Sequence, residues 1–146
     1  MVTSEMQVED LPEILAIEKS SFSTPWSETL FRNEILKAIS VCRVARINGK
    51  VAGYLCGEVI FDEGHILNLA VHPEHRKKGV ASFLIQEMIG IMGNRHCRSV
   101  FLEVRVSNEQ ARYLYEKFGF TLLSKRQNYY VSPVEDAIIL VLRLTA

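Results

Sequence analysis

The 146-residue chain reads as a single α/β domain, with a mixed central sheet of about six to seven strands flanked by about four helices. Three observations predict this. Asn48-Gly49 stands between two apolar, β-branched runs, and at that spacing it marks a hairpin, because a type I′ turn needs positive φ at both positions. The nearly continuous apolar stretch Ile66-Leu67-Asn68-Leu69-Ala70-Val71 is followed by a helical stripe and then by the alternating stretch Val100 to Val106. Strand, helix, strand in that order implies a parallel crossover, and an apolar strand of this kind implies cover on both faces.

Each element follows from local pattern. Asp10 is placed to cap a first helix, in which Leu11, Ile14, Leu15 and Ile17 form the apolar stripe and Pro12 is tolerated in the opening turn. That helix should end near Ser21. A second starts at about Ser27-Glu28 and carries Leu30, Phe31, Ile35 and Leu36 at helical spacing, with Phe22-Ser23-Thr24-Pro25-Trp26 as the loop between. The hairpin then joins Val41–Ile47 to Val51–Phe61, and Asp62-Glu63-Gly64 turns into the strand Ile66–Val71. The following helix shows Val80, Phe83, Leu84, Met88 and Ile91 on one side and runs to about Gly93. Along Val100–Val106, Phe101, Glu103 and Arg105 share one face. Ser107-Asn108-Glu109-Gln110 has the form of a capping box opening a helix with Ala111, Leu114, Tyr115 and Phe118 on its stripe, stopped by Gly119. Two last strands, about Phe120–Gln127 and Ala137–Leu144, flank the loop Asn128-Tyr129-Tyr130-Val131-Ser132-Pro133.

Composition narrows the function class. Residues 1–146 show no linker, repeat or low-complexity tract, so one domain is expected. With 17 basic and 17 acidic residues there is no global field to draw in nucleic acid or an anionic membrane, and any basic patch is local. No apolar run approaches the ~20 residues that cross a bilayer, and Met1-Val2-Thr3-Ser4-Glu5 lacks the start of a signal peptide, so a cytoplasmic protein is expected. Cys42, Cys56 and Cys97 have unrelated spacings, and His65, His72, His75 and His96 show no ligand spacing; no metal is expected.

One segment carries chemistry. Directly after the strand Ile66–Val71 and the turn His72-Pro73-Glu74-His75 comes Arg76-Lys77-Lys78-Gly79-Val80-Ala81, where a basic turn with a glycine becomes a helix. The opening N–H groups of that helix have no intrahelical acceptor, and the helix dipole favours an anion there. A short basic turn is also an ordinary solvated loop, so context matters. The segment lacks the Lys-Ser/Thr of a P-loop and the three glycines of a dinucleotide fingerprint.

This Arg-x-x-Gly-x-Ala segment is similar to the Q/R-x-x-G-x-G/A signature with which the GNAT acyltransferases hold the pyrophosphate of acetyl-coenzyme A. Further stretches extend the likeness over the whole chain: Phe22 with Pro25-Trp26-Ser27, Leu67 through Pro73, Leu102 through Asn108, Tyr113 through Phe120, Asn128-Tyr129-Tyr130 and Glu135-Asp136-Ala137. Together they resemble the RimI-type N-terminal acetyltransferases, which modify the α-amino group of a small-subunit ribosomal protein whose first residue is alanine. Two positions depart from the pattern: Arg76 stands where glutamine is commoner, and Ala81 replaces the second glycine.

The resemblance implies a GNAT fold, acetyl-CoA as co-substrate and, as acceptor, the N-terminus of a protein, namely a ribosomal protein beginning with alanine. It implies Glu103 as general base acting through water, although a carboxylate on that strand face could instead pair with Arg105. It implies Tyr115 as the acid that protonates the departing thiolate, although a tyrosine on an apolar stripe is often only packed. It implies that the backbone of Leu69, Ala70 and Val71 holds the acetyl and pantetheine groups, that Arg76, Lys77, Lys78, Gly79, Val80 and Ala81 hold the phosphates, and that Asn108, otherwise a helix cap, reaches the coenzyme. Trp26, Tyr129 and Tyr130 are large aromatics in expected loops, which either wall an acceptor site or pack beneath it. A small-molecule amine acetyltransferase and a non-catalytic acyl-coenzyme A binding module are the other readings, since a fold does not determine its acceptor.

Overall fold

A computed structural model describes residues 1–144. The chain runs β1 (Val2–Glu5), α1 (Leu11–Ser21), α2 (Glu28–Leu36), β2 (Ser40–Ile47), β3 (Lys50–Ile60), β4 (Glu63–Val71), α3 (Val80–Asn94), β5 (Ser99–Arg105), α4 (Glu109–Lys117), β6 (Thr121–Val131) and β7 (Val134–Arg143). The strands form one seven-stranded sheet in the order β1-β2-β3-β4-β5-β7-β6. Its neighbours are antiparallel except β4 and β5, the parallel pair expected from the crossover through α3. The edge strand β1 has no counterpart in the sequence reading; its four residues are too few for a period to show.

The Asn48-Gly49 turn forms with φ of 52° and 79°, as the primed hairpin turn requires. Two apolar clusters cover the sheet. Val80, Leu84, Ile85, Met88 and Met92 of α3 pack in one, with Leu55 and Ala45 of the sheet. Leu11, Ile14 and Ile17 of α1 and Phe31 of α2 pack in the other, with Val44, Tyr54 and Cys56. Adjacent residues such as Val44 and Ala45 fall in different clusters because successive side chains on a strand point to opposite faces. Cys42 and Cys56, unrelated by spacing, face each other across β2 and β3. The contact with Cys42, together with burial, pushes the Cys56 thiol well up.

Several local expectations are corrected. Asn128–Val131 is not a loop but the end of β6, with Asn128 at φ 51° in an irregularity of the β6–β7 register, so only Ser132-Pro133 turns the chain. Asp62-Glu63-Gly64 is likewise shortened, since β4 already begins at Glu63. Asp10 occupies the cap position of α1, but its carboxylate accepts the Gln7 N–H (2.8 Å) and pairs with Arg46. Ser107 does not cap α4; Asn108 does, its Oδ1 accepting the Ala111 N–H at 3.2 Å. Ser27 caps α2 as expected, by accepting the Leu30 N–H at 3.1 Å, yet Leu36 of its stripe is 79 % exposed. Nor is β4 covered on both faces: Leu67 is 41 % exposed while Ile66, Asn68 and Ala70 are buried.

The exposure of Leu67 has a topological cause. β4 and β5 pair only from Glu63–Ser99 to Ile66–Leu102, after which no ladder joins them. β4 stays paired with β3 as far as Val71 and β5 with β7 as far as Arg105. The sheet therefore opens in its middle, at the carboxyl ends of its parallel strands, where open α/β sheets bind ligands.

Candidate active site

Two clefts of about 570 and 680 Å³ enter this opening and share Trp26, Ile66, Leu67, Leu102, Glu103 and Tyr130. The first continues along Leu69, Asn108 and Tyr115. The second continues past Phe101, Arg126 and Tyr129. Glu103 thus stands where the two meet, on β5 just past the last residue paired with β4.

The surroundings of Glu103 are polar on one side. Arg126 Nη1 lies 3.6 Å from Glu103 Oε1, and its guanidinium sits over the Tyr129 ring, 5.4 Å from the centroid. The Tyr129 hydroxyl faces the Glu103 carboxylate, and that contact, ahead of partial burial, pushes the Tyr129 phenol above its ordinary value. The Tyr130 phenol is also pushed up, by burial first and by the Glu103 charge second. Arg105 does not pair with Glu103. It donates to the carbonyls of Ser132 and Pro133, both at 3.0 Å, and to Glu135 at 3.3 Å.

Tyr115 projects from α4 into the same opening with 7 % of its surface exposed, and its ring meets Phe120 edge-on at 5.5 Å. Burial pushes its phenol well up, so it keeps its proton at neutral pH. Half-buried Trp26 packs on Phe31, centroids 5.1 Å apart, and Phe31 packs on Tyr54. Tyr129 and Tyr130, 5.2 Å apart and perpendicular, come from a strand rather than a loop. All five site side chains expected around the chemistry, Trp26, Glu103, Tyr115, Tyr129 and Tyr130, line one cleft or both.

The basic segment lies apart from these walls. Lys77 (φ 63°) and Gly79 (φ 84°) bend the chain into α3, whose first turn leaves the N–H groups of Val80 and Ala81 without intrahelical acceptors. A Cβ built on Gly79 would meet nothing within 4 Å, so the space beside Gly79 is open. Lys77 and Lys78 are exposed beside it. Arg76 is turned back, Nε donating to the Val71 carbonyl at 3.2 Å and Nη2 to Ser21 Oγ at 3.3 Å. Of the preceding strand residues, Leu69 lines the first cleft, whereas the Ala70 side chain belongs to the core. Backbone donors, adjacent cations and open space suit a polyanion such as a pyrophosphate. Among the described residues, no group of three or more His, Cys, Asp or Glu could hold a metal ion, and no helix is long and apolar enough to cross a membrane.

Sequence reasoning missed Glu18, a buried carboxylate in the wall of the first cleft. A signal was present: Glu18 follows Ile14 by four and Leu11 by seven residues, which puts it on the buried stripe of α1.

Residues 11–120 match the model of the acetyltransferase (GNAT) family. The [ribosomal protein bS18]-alanine N-acetyltransferase of Escherichia coli K12 is 33 % identical over 144 residues, covering 97 % of each chain. The crystal structure of the E. coli ribosomal-protein-S18-alanine N-acetyltransferase superposes with a TM-score of 0.93, covering 99 % of this chain and 94 % of that one. A solved NatC complex bound to Gag peptide and CoA is 25 % identical, with a TM-score of 0.84 and coverage of 99 % and 98 %.

Proposed function

This chain belongs to the acetyltransferase (GNAT) family, and on that premise we propose that it transfers the acetyl group of acetyl-CoA to the N-terminal α-amino group of a protein, namely a ribosomal protein beginning with alanine. The observation that carries this reading is the meeting of two separate clefts at one carboxylate, Glu103. A group transfer between two large partners needs two approaches and one shared point.

In this reading the N–H groups of Val80 and Ala81, with Lys77, Lys78 and the open space at Gly79, hold the coenzyme phosphates, and Arg76 braces the turn from behind. The unpaired edges of β4 at Leu69, Ala70 and Val71 and the side chain of Asn108 hold the rest of the coenzyme in the first cleft. When bound, acetyl-CoA supplies an activated thioester carbonyl and a thiolate leaving group. Glu103 Oε takes a proton, through water, from the acceptor ammonium. Tyr115 Oη, kept protonated by its burial, gives a proton to the sulfur. Trp26, Tyr129 and Tyr130 wall the second cleft and exclude bulk water around the amine.

The choice of an α-amine follows from acid–base chemistry. With a pKa near 8 it is about a tenth neutral at pH 7, whereas a lysine side chain near 10.4 is neutral in about 0.04 % of molecules. A carboxylate base therefore has far less to do for an N-terminus. Peptides with a free N-terminal alanine are compared by mass spectrometry with the same peptides N-terminally blocked and carrying an internal lysine. Faster modification of the free N-terminus is expected; preference for lysine, or activity only on small amines, overturns the assignment.

A further inference from the structure

We propose that Glu18 is a positioning residue that holds Trp26 against the acceptor path, a role that rests on the peptide-acceptor reading above. Glu18 is 1 % exposed in the last turns of α1. Its Oε1 accepts the Tyr54 hydroxyl of β3 and the Asn68 Nδ2–H of β4, the latter at 2.9 Å. Its Oε2 accepts the backbone N–H of Trp26 at 2.9 Å. A buried carboxylate is costly unless hydrogen-bonded, and here donors from three other segments converge on a group that can only accept. The arrangement ties the end of the α1–α2 connection to the middle of the sheet.

Position gives the tie its consequence. Tyr54 and Asn68 are each paired in the β3–β4 ladder, Asn68 opposite Cys56 at the edge of a register shift, so the ladder already holds their backbone. Trp26 sits in an irregular connection, where a backbone N–H has no ladder partner, and its ring is shared by both clefts beside Glu103. A second side-chain tie of this connection, Ser23 Oγ to the Ser132 carbonyl at 2.8 Å, is exposed. Glu18 is therefore the buried anchor that sets how far the Trp26 ring stands from the acceptor amine.

The carboxylate is required in particular. Glutamine at position 18 has one acceptor oxygen where the carboxylate has two, and its N–H₂ must face either the Trp26 N–H, donor against donor, or the Tyr54 and Asn68 side chains. Glu18→Gln thus cannot accept from Trp26 and from both strand donors at once. Glu18→Asp remains acceptor-only but is one methylene short of reaching Trp26. Tyr54→Phe removes a donor from the same carboxylate while leaving Trp26 tied.

Trp26 is the sole tryptophan of the chain, so its fluorescence reports the tie without any acceptor. In the full-length protein, Glu18→Gln and Glu18→Asp should each increase acrylamide quenching of Trp26 and raise the KM for an N-terminal-alanine peptide about tenfold, the size of a lost hydrogen bond to a charged group. The melting shift produced by acetyl-CoA should persist, which also verifies folding. Tyr54→Phe should leave quenching and peptide KM close to wild type, and Glu18→Gln should add little to Trp26→Ala. Unchanged quenching in both Glu18 variants, equal damage from Tyr54→Phe, or additive effects with Trp26→Ala would overturn the proposal. A wild type inactive on peptides would overturn the acceptor reading and the functional role built on it, and the quenching comparison separates that failure from failure of the tie itself.

Discussion

The Arg105 guanidinium lies over the Tyr130 ring, 4.2 Å from its centroid. Arg105 and Glu103 share a strand face, yet Arg105 reaches the β6–β7 turn and leaves the carboxylate to Arg126 and Tyr129. A planar fork can serve two carbonyls and stack on an aromatic at once, which a point charge cannot. Arg105→Lys and Arg105→Met should therefore both loosen Tyr130 and raise the acceptor-peptide KM, by about tenfold for methionine, on the scale of charge-assisted hydrogen bonds. Steady-state kinetics with varied peptide, set beside an unchanged acetyl-CoA melting shift, checks this.

Glu103→Gln should lower turnover by ~10²-fold or more, the range for a positioned base. The defect should shrink as pH rises, because the α-amine then deprotonates unaided. A pH profile of kcat/KM for both proteins decides the matter, and a defect constant across pH would assign Glu103 to binding instead.

Tyr115→Phe keeps the ring that packs on Phe120 and removes only the proton donor. Turnover should fall by ~10²-fold, with coenzyme affinity retained in a calorimetric titration. Loss of coenzyme binding in this variant would mean that the hydroxyl holds the ligand rather than protonating it.

At 100 times its Kd, acetyl-CoA should stabilise the protein by about 2.7 kcal/mol, several degrees in melting temperature for a domain of this size. Gly79→Ala meets no steric neighbour but must adopt φ near 84°, costing ~1 kcal/mol of backbone strain. Gly79→Glu adds a negative charge where the phosphates are placed and should abolish the coenzyme shift. Differential scanning fluorimetry with and without coenzyme distinguishes the two variants.

Glu135 joins the β6–β7 hairpin to the end of β5: it accepts the Ser107 N–H at 2.7 Å and pairs with Arg105. Hydrogen bonds from Ser107, helped by Arg105, hold its carboxyl below the ordinary 4.5. A depressed folded value means that this contribution is present above the unfolded pKa and lost as pH falls through the folded one. The stability difference between wild type and Glu135→Gln should be constant near neutrality, begin to shrink as pH falls past the ordinary glutamate range, and go on shrinking as the folded carboxyl takes up its proton. Urea midpoints measured from pH 3 to pH 7 give the curve.

Elements set by neighbours one or two turns away were legible in the chain. Asn48-Gly49 demanded a primed turn, Ser27 announced a cap, and the stripe through Val80, Leu84 and Met88 announced a buried helix, because each pattern is encoded by residues in direct sequence reach. Where two local signals competed, reading failed by small amounts: Asn128 suggested a loop, but pairing with β7 carried Tyr129 and Tyr130 into a strand. The residue types of the site, Glu103, Tyr115, Trp26, Tyr129 and Tyr130, were equally visible in the sequence, as was the resemblance that named them.

What only the tertiary structure decided is which groups face one another. No spacing along the chain reveals that the β4–β5 ladder ends at Ile66 and Leu102, opening the sheet. Nor does any reveal that Arg105 leaves Glu103 for Ser132, or that Glu18 reaches Asn68 across fifty positions and anchors Trp26. These contacts depend on strand register and on which of several donors a buried acceptor meets, and both are settled by packing the whole sheet between its two layers of helices rather than by any local preference.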